Sequence, residues 1–225
     1  MEIFYSVVKF FTAGGAFMLP ILAVGAVGAA IAVERYITIT RTRAKNSAMW
    51  AQVEPALMAG DFDKAREITS KAETALSRLL GTGLALQGAV RRRDDVKEAM
   101  QESMMEILPQ LEKRTHYLGT FANLATLLGL LGTVSGLIHA FSAVSTANPA
   151  EKANLLSASI SEAMNCTAFG LMVAVPTLFV HAFLQTKTTQ LIDGLETAAI
   201  KFLNVLTTRA TAKVQAARIE PARAA

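Results

Sequence analysis

The stretch Gly129-Leu-Leu-Gly132-Thr133-Val-Ser135-Gly136-Leu-Ile-His139-Ala-Phe141 lies within a run, Thr115 to Ala150, that contains no Asp, Glu, Lys or Arg. A helix needs roughly 20 apolar residues to cross a bilayer, and this run is longer. Two more runs of the same kind flank it. Phe10 to Val33 is uncharged, and Ala163 to Thr186 carries only His181, with apolar character beginning near Leu155. From Leu155 to Leu184 a helix extends about 45 Å at ~1.5 Å per residue, so it tilts or projects from the bilayer. The whole chain agrees: 52% of its 225 residues are hydrophobic and 18% are charged, and the mean hydropathy is +0.36. The expected fold is an all-α integral membrane protein with three transmembrane helices and long helical extensions.

The basic residues set the expected orientation. Of 22 Lys and Arg, two (Lys9 and Lys152) fall before the first span and between the second and third; the other 20 fall in Arg35–Arg114 and Lys187–Arg223. Positive charge marks the cytoplasmic side. The expected organisation is 1–34 for a periplasmic N-terminal segment and span one, and 35–116 for a cytoplasmic helical domain. Span two then takes 117–147, a periplasmic loop 148–154, span three 155–186, and a cytoplasmic C-terminal helix and tail 187–225. The first residues lack the basic start and small-x-small site of a cleavable signal.

Within 35–116 apolar residues recur at helical spacing, as in Ile68, Ala72, Ala75 and Leu79. Gly60-Asp61-Phe62-Asp63 reads as a turn with an aspartate ready to cap the next helix. Asp94-Asp95 marks a further helix start, and one helix is expected from about 95 to 145, bent at Pro109. Leu191, Ile192, Leu195, Phe202, Leu203 and Leu206 make an apolar side for 187–209, whereas the Ala- and Arg-rich end is expected to be unstructured.

The chemistry is concentrated in spans two and three. Gly132 and Gly136 form a small-xxx-small pair that lets another helix approach the backbone. Gly129, Thr133 and Gly136 share a face, and a closed homo-oligomer packed through Gly129, Gly132 and Gly136 is expected. Span three reads Ser159-Ile-Ser161-Glu162-Ala-Met-Asn165-Cys166-Thr167-Ala-Phe169-Gly170 and continues to Pro176. Glu162 lies seven residues inside the apolar stretch, and a carboxyl at such depth costs about 2.5 kcal/mol or more without a partner, a proton or water. Glu162 and Thr167 are about 140° apart around a helix, so they do not share a narrow face. Pro176 removes a backbone hydrogen bond and is expected to kink the helix.

Two readings of these residues stand side by side. In one, the threonines bond their own backbone and the small residues only pack, giving a non-conducting membrane scaffold. In the other, they line an ion path. Other classes are less well supported. The single cysteine, Cys166, forms no disulfide within the chain, no Cys/His group has metal spacing, and no P-loop or dinucleotide fingerprint occurs. Neither cofactor, metal nor nucleic acid is expected, since the basic residues lie between apolar runs rather than along one stripe. A serine-protease reading of Thr133-Val-Ser135-Gly136 lacks the first glycine of its motif, and the chain is not expected to be an enzyme.

Gly129 through Phe141 resembles the G-L-x-G-T-V-x-G-I-x-x-x-F signature of the ExbB/TolQ/MotA family of ion-channel subunits. Glu162-Ala163, Thr167-Ala168-Phe169-Gly170-Leu171 and Ala174-Val175-Pro176 resemble that family's E-A-L-x-x-T-A-x-G-L-x-x-A-I-P signature, with the same glutamate-to-threonine spacing. Gly14-Gly15-Ala16-Phe17-Met18-Leu19-Pro20 and Glu34-Arg35 resemble its first span. Three spans favour the ExbB/TolQ branch over the four-span MotA branch. The resemblance implies a pentamer in a bacterial inner membrane, around a dimer of a single-span ExbD- or TolR-like partner whose membrane aspartate carries the ion. It further implies an ion-pathway role for Thr133, Glu162 and Thr167, helix packing at Gly129, Gly132, Gly136 and Gly170, and ion-driven work on the envelope, with a TonB-like protein as a further partner. The residues themselves accord with this: one membrane carboxylate and no membrane base make no complete relay, so an acid from a second chain is expected.

Overall fold

Among residues 14–87 and 93–223, which the computed structural model describes (with side chains through 208), six helices form and no strand. They are α1 (Met18–Ala59), α2 (Phe62–Ser70), α3 (Ala75–Leu86), α4 (Arg93–Glu112), α5 (Thr115–Thr146) and α6 (Lys152–Arg223). The expected features of residues 1–13 and 88–92 lie outside the described residues.

The sequence explains where each helix ends. α1 follows a turn in which Gly15 takes φ +75°, and it runs unbroken past the expected boundary at 34 and 35. It stops at Gly60, φ +77°, where Gly60 N–H donates to Leu57 O (3.0 Å) and Asp61 N–H to Ala56 O (2.9 Å). That pair of bonds is the Schellman ending, which needs a left-handed residue. Asp61 then caps α2, its Oδ1 accepting from Lys64 N–H at 3.0 Å. Thr74 and Ser77 form a reciprocal capping box at the start of α3.

Three expectations are corrected. The single helix from 95 to 145 is instead two, and the break falls at Lys113–Arg114 rather than Pro109, which lies inside α4. Arg114 adopts φ +67°, a conformation that costs a non-glycine residue about 1 kcal/mol or more. Its neighbours oppose that cost. Arg114 Nη1 donates to both carboxylate oxygens of Glu34 at 2.7 Å, and Arg35 Nε donates to Thr115 Oγ1 at 3.1 Å. The loop expected over 148–154 shrinks to 147–151, because α6 begins at Lys152. The tail expected to be unstructured continues α6 to Arg223, in keeping with the helix preference of its alanines.

The chain divides into two compact units, Met1–Arg35 with Arg114–Gln185, and Tyr36–Lys113 with Thr186–Ala225. The first packs α1, α5 and α6 around Met18, Ile21, Ala125, Cys166, Phe169 and Ala174. Most of its apolar surface faces outward: the most apolar windows of the three long helical stretches are only 22%, 17% and 22% buried. Phe141 and Phe179 are 65% and 76% exposed. So much exposed apolar helix is the mark of a chain surrounded by lipid or other helices, and the fold is that of an all-α membrane protein with three candidate spans. The second unit has an ordinary core centred on Val53, Leu79, Leu80, Leu84 and Phe202, and a Lys201–Glu54 ion pair at 3.0 Å.

Candidate functional site

Small residues bring α5 and α6 into backbone contact. A Cβ on Gly170 would lie 2.7 Å from Ala125 O and 3.0 Å from Gly129 Cα, and one on Gly129 would lie 3.3 Å from the Cα of both Gly170 and Thr167. One turn along, a Cβ on Gly132 would collide with Cys166 Sγ, and one on Gly136 would lie 2.8 Å from Ala163 Cβ. The Gly129–Gly136 face is therefore filled within the chain, by α6. The expectation that this face joins one copy to another is corrected: the helix it admits belongs to the same molecule.

This close approach places two hydroxyls side by side. Thr167 Oγ1 lies 2.8 Å from Gly129 O and 3.3 Å from Thr133 Oγ1. Thr133 Oγ1 donates to Leu130 O at 2.7 Å, the usual bond of a threonine to its own helix. A hydroxyl has one proton and two lone pairs. With Thr133 donating to Leu130 and Thr167 to Gly129, both protons rest on backbone carbonyls. The two adjacent oxygens then offer lone pairs, a site that accepts a hydrogen bond from an acid or ligates a small cation.

Glu162 sits elsewhere. It lines a cavity of about 140 Å³ together with Gly15, Ser135, Gly136, His139 and Cys166, and neither Thr133 nor Thr167 lines it. A Cβ on Gly15 would meet Glu162 Oε1, so the glycine serves both its left-handed turn and the carboxylate's space. His139 Nδ1 lies 2.9 Å from Ser135 O, a carbonyl that can only accept. The cavity has room for about four waters at ~30 Å³ each, beside a carboxylate and an imidazole. Among the described residues no three His, Cys, Asp or Glu side chains gather as they would around a metal ion.

Of the three residues assigned to the ion pathway from sequence, two come together and the third stands apart. Pro176 lies inside α6, beside Thr177, whose hydroxyl donates to Val173 O at 2.7 Å. The sequence analysis gave His139, Cys166 and Gly15 no role in a site, yet all three border the Glu162 cavity. The available signal was His139's position three residues after Gly136, on the same helical face as the glycines.

Comparison with known proteins bears on the same segments. Residues 71–197 match the model of the MotA/TolQ/ExbB proton channel family. The chain is similar to the ExbB-like 1 protein of Synechocystis sp., 31% identical across 81% of this chain and 72% of that one. It is similar to the biopolymer transport protein ExbB of Neisseria gonorrhoeae, 27% identical across 82% of this chain and 87% of that one. It also resembles the Tol-Pal system protein TolQ of Haemophilus influenzae, 33% identical over 49% of this chain and 46% of that one.

Proposed function

The chain belongs to the MotA/TolQ/ExbB proton channel family, and from that premise we propose that it is the ring subunit of a proton-driven motor. It is an inner-membrane multi-pass protein and a membrane energiser subunit of the ExbB/TolQ type. In the proposed mechanism, copies close into a ring, a pentamer, around a dimer of an ExbD- or TolR-like single-span partner. The partner's membrane aspartate takes up a proton from one side and gives it to the other.

The observation that supports this most is the Thr133–Thr167 pair. A protonated aspartic acid donates one hydrogen bond, and the paired threonine oxygens accept it while their own protons stay on Leu130 and Gly129. Once the acid ionises it needs donors. Either hydroxyl supplies one by swinging away from its carbonyl, at a cost of about 1 kcal/mol. The pair thus serves both protonation states with a small reorganisation, which favours exchange over trapping. Glu162, in its own cavity apart from the pair, tunes the field along the path.

Orientation follows from the 20-to-2 distribution of basic residues: the 147–151 link faces the periplasm and the second unit the cytoplasm. The ring passes torque to the partner, whose outer domain energises TonB-dependent uptake or Tol-type work in the envelope. The competing scaffold reading gives the threonines only a packing role. The test is proton flux in liposomes holding the chain and its partner, with ring yield measured in the same samples. Thr133→Val, Thr167→Val and Glu162→Gln should each assemble and each lose flux. Normal flux in all three would establish the scaffold.

A further inference from the structure

Glu162 shares its cavity with Ser135 and His139 of α5. Among the described residues no hydrogen bond or ion pair holds its carboxylate. A carboxyl inside an apolar stretch is costly unless a partner, a proton or water reaches it. The protein supplies no partner here, so water or a proton has to arrive from outside the bilayer, and α5 carries a route for it.

Ser135, His139, Ser142 and Thr146 follow one another at steps of four, three and four residues. That spacing keeps them within about 60° of each other around the helix. Toward the other end of α5 the same face continues with Leu131 and Leu128. The polar stripe therefore starts at Thr146, the last residue of α5, reaches the level of the Glu162 cavity and stops there. It covers about 16 Å at ~1.5 Å per residue, half of a hydrocarbon core of roughly 30 Å. Beside it Val134 and Phe141 are 55% and 65% exposed, an apolar surface for lipid or other helices. His139, Ser142 and Thr146 are exposed as well. Thr146 and Ser145 bond their own helix, at Ala143 O and Ser142 O. The Ser142 hydroxyl and His139 Nε2 have no partner among the described residues, so a packing role does not use them.

We propose that this stripe is a water-filled inlet that leads from the 147–151 end of α5 to Glu162. Its cargo is water and the hydrated proton. Successive polar side chains stand about 5–6 Å apart, a gap that one water bridges. Leu131 closes the inner end, so the inlet delivers to the Glu162 cavity and does not cross the membrane. Thr133 lies about 160° from Ser135 around the helix, so the inlet serves Glu162 and not the threonine pair. The inference rests on the reading of the chain as a proton channel subunit and gives one half of the path a place on this chain's own surface.

The test is the reaction of single cysteines with a charged, membrane-impermeant methanethiosulfonate, applied to the full-length chain in intact cells. Thiols react as thiolates, and a thiol facing lipid does not ionise. Ser135→Cys and Ser142→Cys exchange one atom and leave the packing as it is. The native Cys166, 2% exposed, stays as the unreactive background. Ser142→Cys and Ser135→Cys should react about tenfold or more faster than Val134→Cys and Phe141→Cys. Adding Ser142→Leu, at an exposed position, should slow the reaction at Ser135→Cys, because an apolar constriction dries the groove. In liposomes holding the chain and its partner, Ser142→Leu should lower proton flux with ring yield unchanged. Equal rates on the stripe and on its apolar flank, or a Ser135→Cys rate that ignores Ser142→Leu, overturns the inlet, as does undiminished flux in Ser142→Leu. The labelling does not depend on conduction. A wet stripe in a parent chain that passes no protons supports the inlet and counts against the channel reading, whereas a dry stripe in a conducting chain overturns the inlet alone.

Discussion

Thr167 on α6 donates its hydroxyl to the carbonyl of Gly129 on α5 across 2.8 Å, joining positions 38 residues apart in the chain. The bond has a structural and a functional part, and the two separate on substitution. Thr167→Val removes the donor and is expected to lower stability by about 1 kcal/mol. Proton flux should fall about tenfold or more, since 1.36 kcal/mol is one decade in rate. Thr167→Ser keeps the hydroxyl and should restore most of the flux. A valine variant that melts lower but conducts fully would leave the bond a purely structural role.

Gly170 and Gly81 are both helical glycines, and they should respond to alanine with opposite signs. At Gly170 the new methyl meets a backbone carbonyl at 2.7 Å, and crowding of that kind costs about 1–3 kcal/mol. At Gly81 it meets nothing within 4 Å, so relief of glycine's entropy stabilises by about 0.5–1 kcal/mol. Thermal unfolding of the two variants in the same detergent checks the contrast.

Glu34–Arg114 and Arg35–Thr115 join α1 to the α4–α5 junction by adjacent bonds of different character. The ion pair is short, but its side chains are 46% and 48% exposed, and pairs of that kind contribute about 0–1 kcal/mol. The Arg35–Thr115 bond is buried, and hydrogen bonds to charged groups contribute about 1.5–3 kcal/mol. Thr115→Ala should therefore destabilise more than Glu34→Gln, although the distances alone suggest the reverse. Raising the salt concentration should narrow the Glu34→Gln effect and leave that of Thr115→Ala unchanged.

The proposed orientation is checked by cysteine labelling with a membrane-impermeant reagent. Ala150→Cys should react from the periplasm, and Met105→Cys, at a position 74% exposed in the second unit, should react only after the membrane is opened. The native Cys166 is 2% exposed and should stay silent. The opposite pattern would overturn the proposed orientation.

The three apolar helices, their family and the turn at Gly60 were legible in the sequence, because each rests on a local pattern: an uncharged run, a motif, a glycine beside aspartates. The break at Arg114 was not. Nothing in Lys113-Arg114-Thr115 announces a left-handed residue, and the conformation is stabilised by Glu34 and Arg35, 80 positions away. The same limit applies at the site. Spacing marked Thr133, Thr167 and Glu162 as polar groups in apolar helices, but only the packing of Gly129 on Gly170 decides that the two hydroxyls meet. The separation of Glu162 from Thr167 follows from their offset of about 140° on one helix, but only the fold places its carboxylate against Gly15.

The Glu34 and Arg35 contacts also bear on the order in which the molecule is made. Their partners, Arg114 and Thr115, leave the ribosome 80 residues later. At roughly 5–20 residues per second that delay is about 4–16 s. Throughout it, the later half of the junction does not yet exist. The bonds at the end of the first span therefore form only once the chain has reached the start of the second.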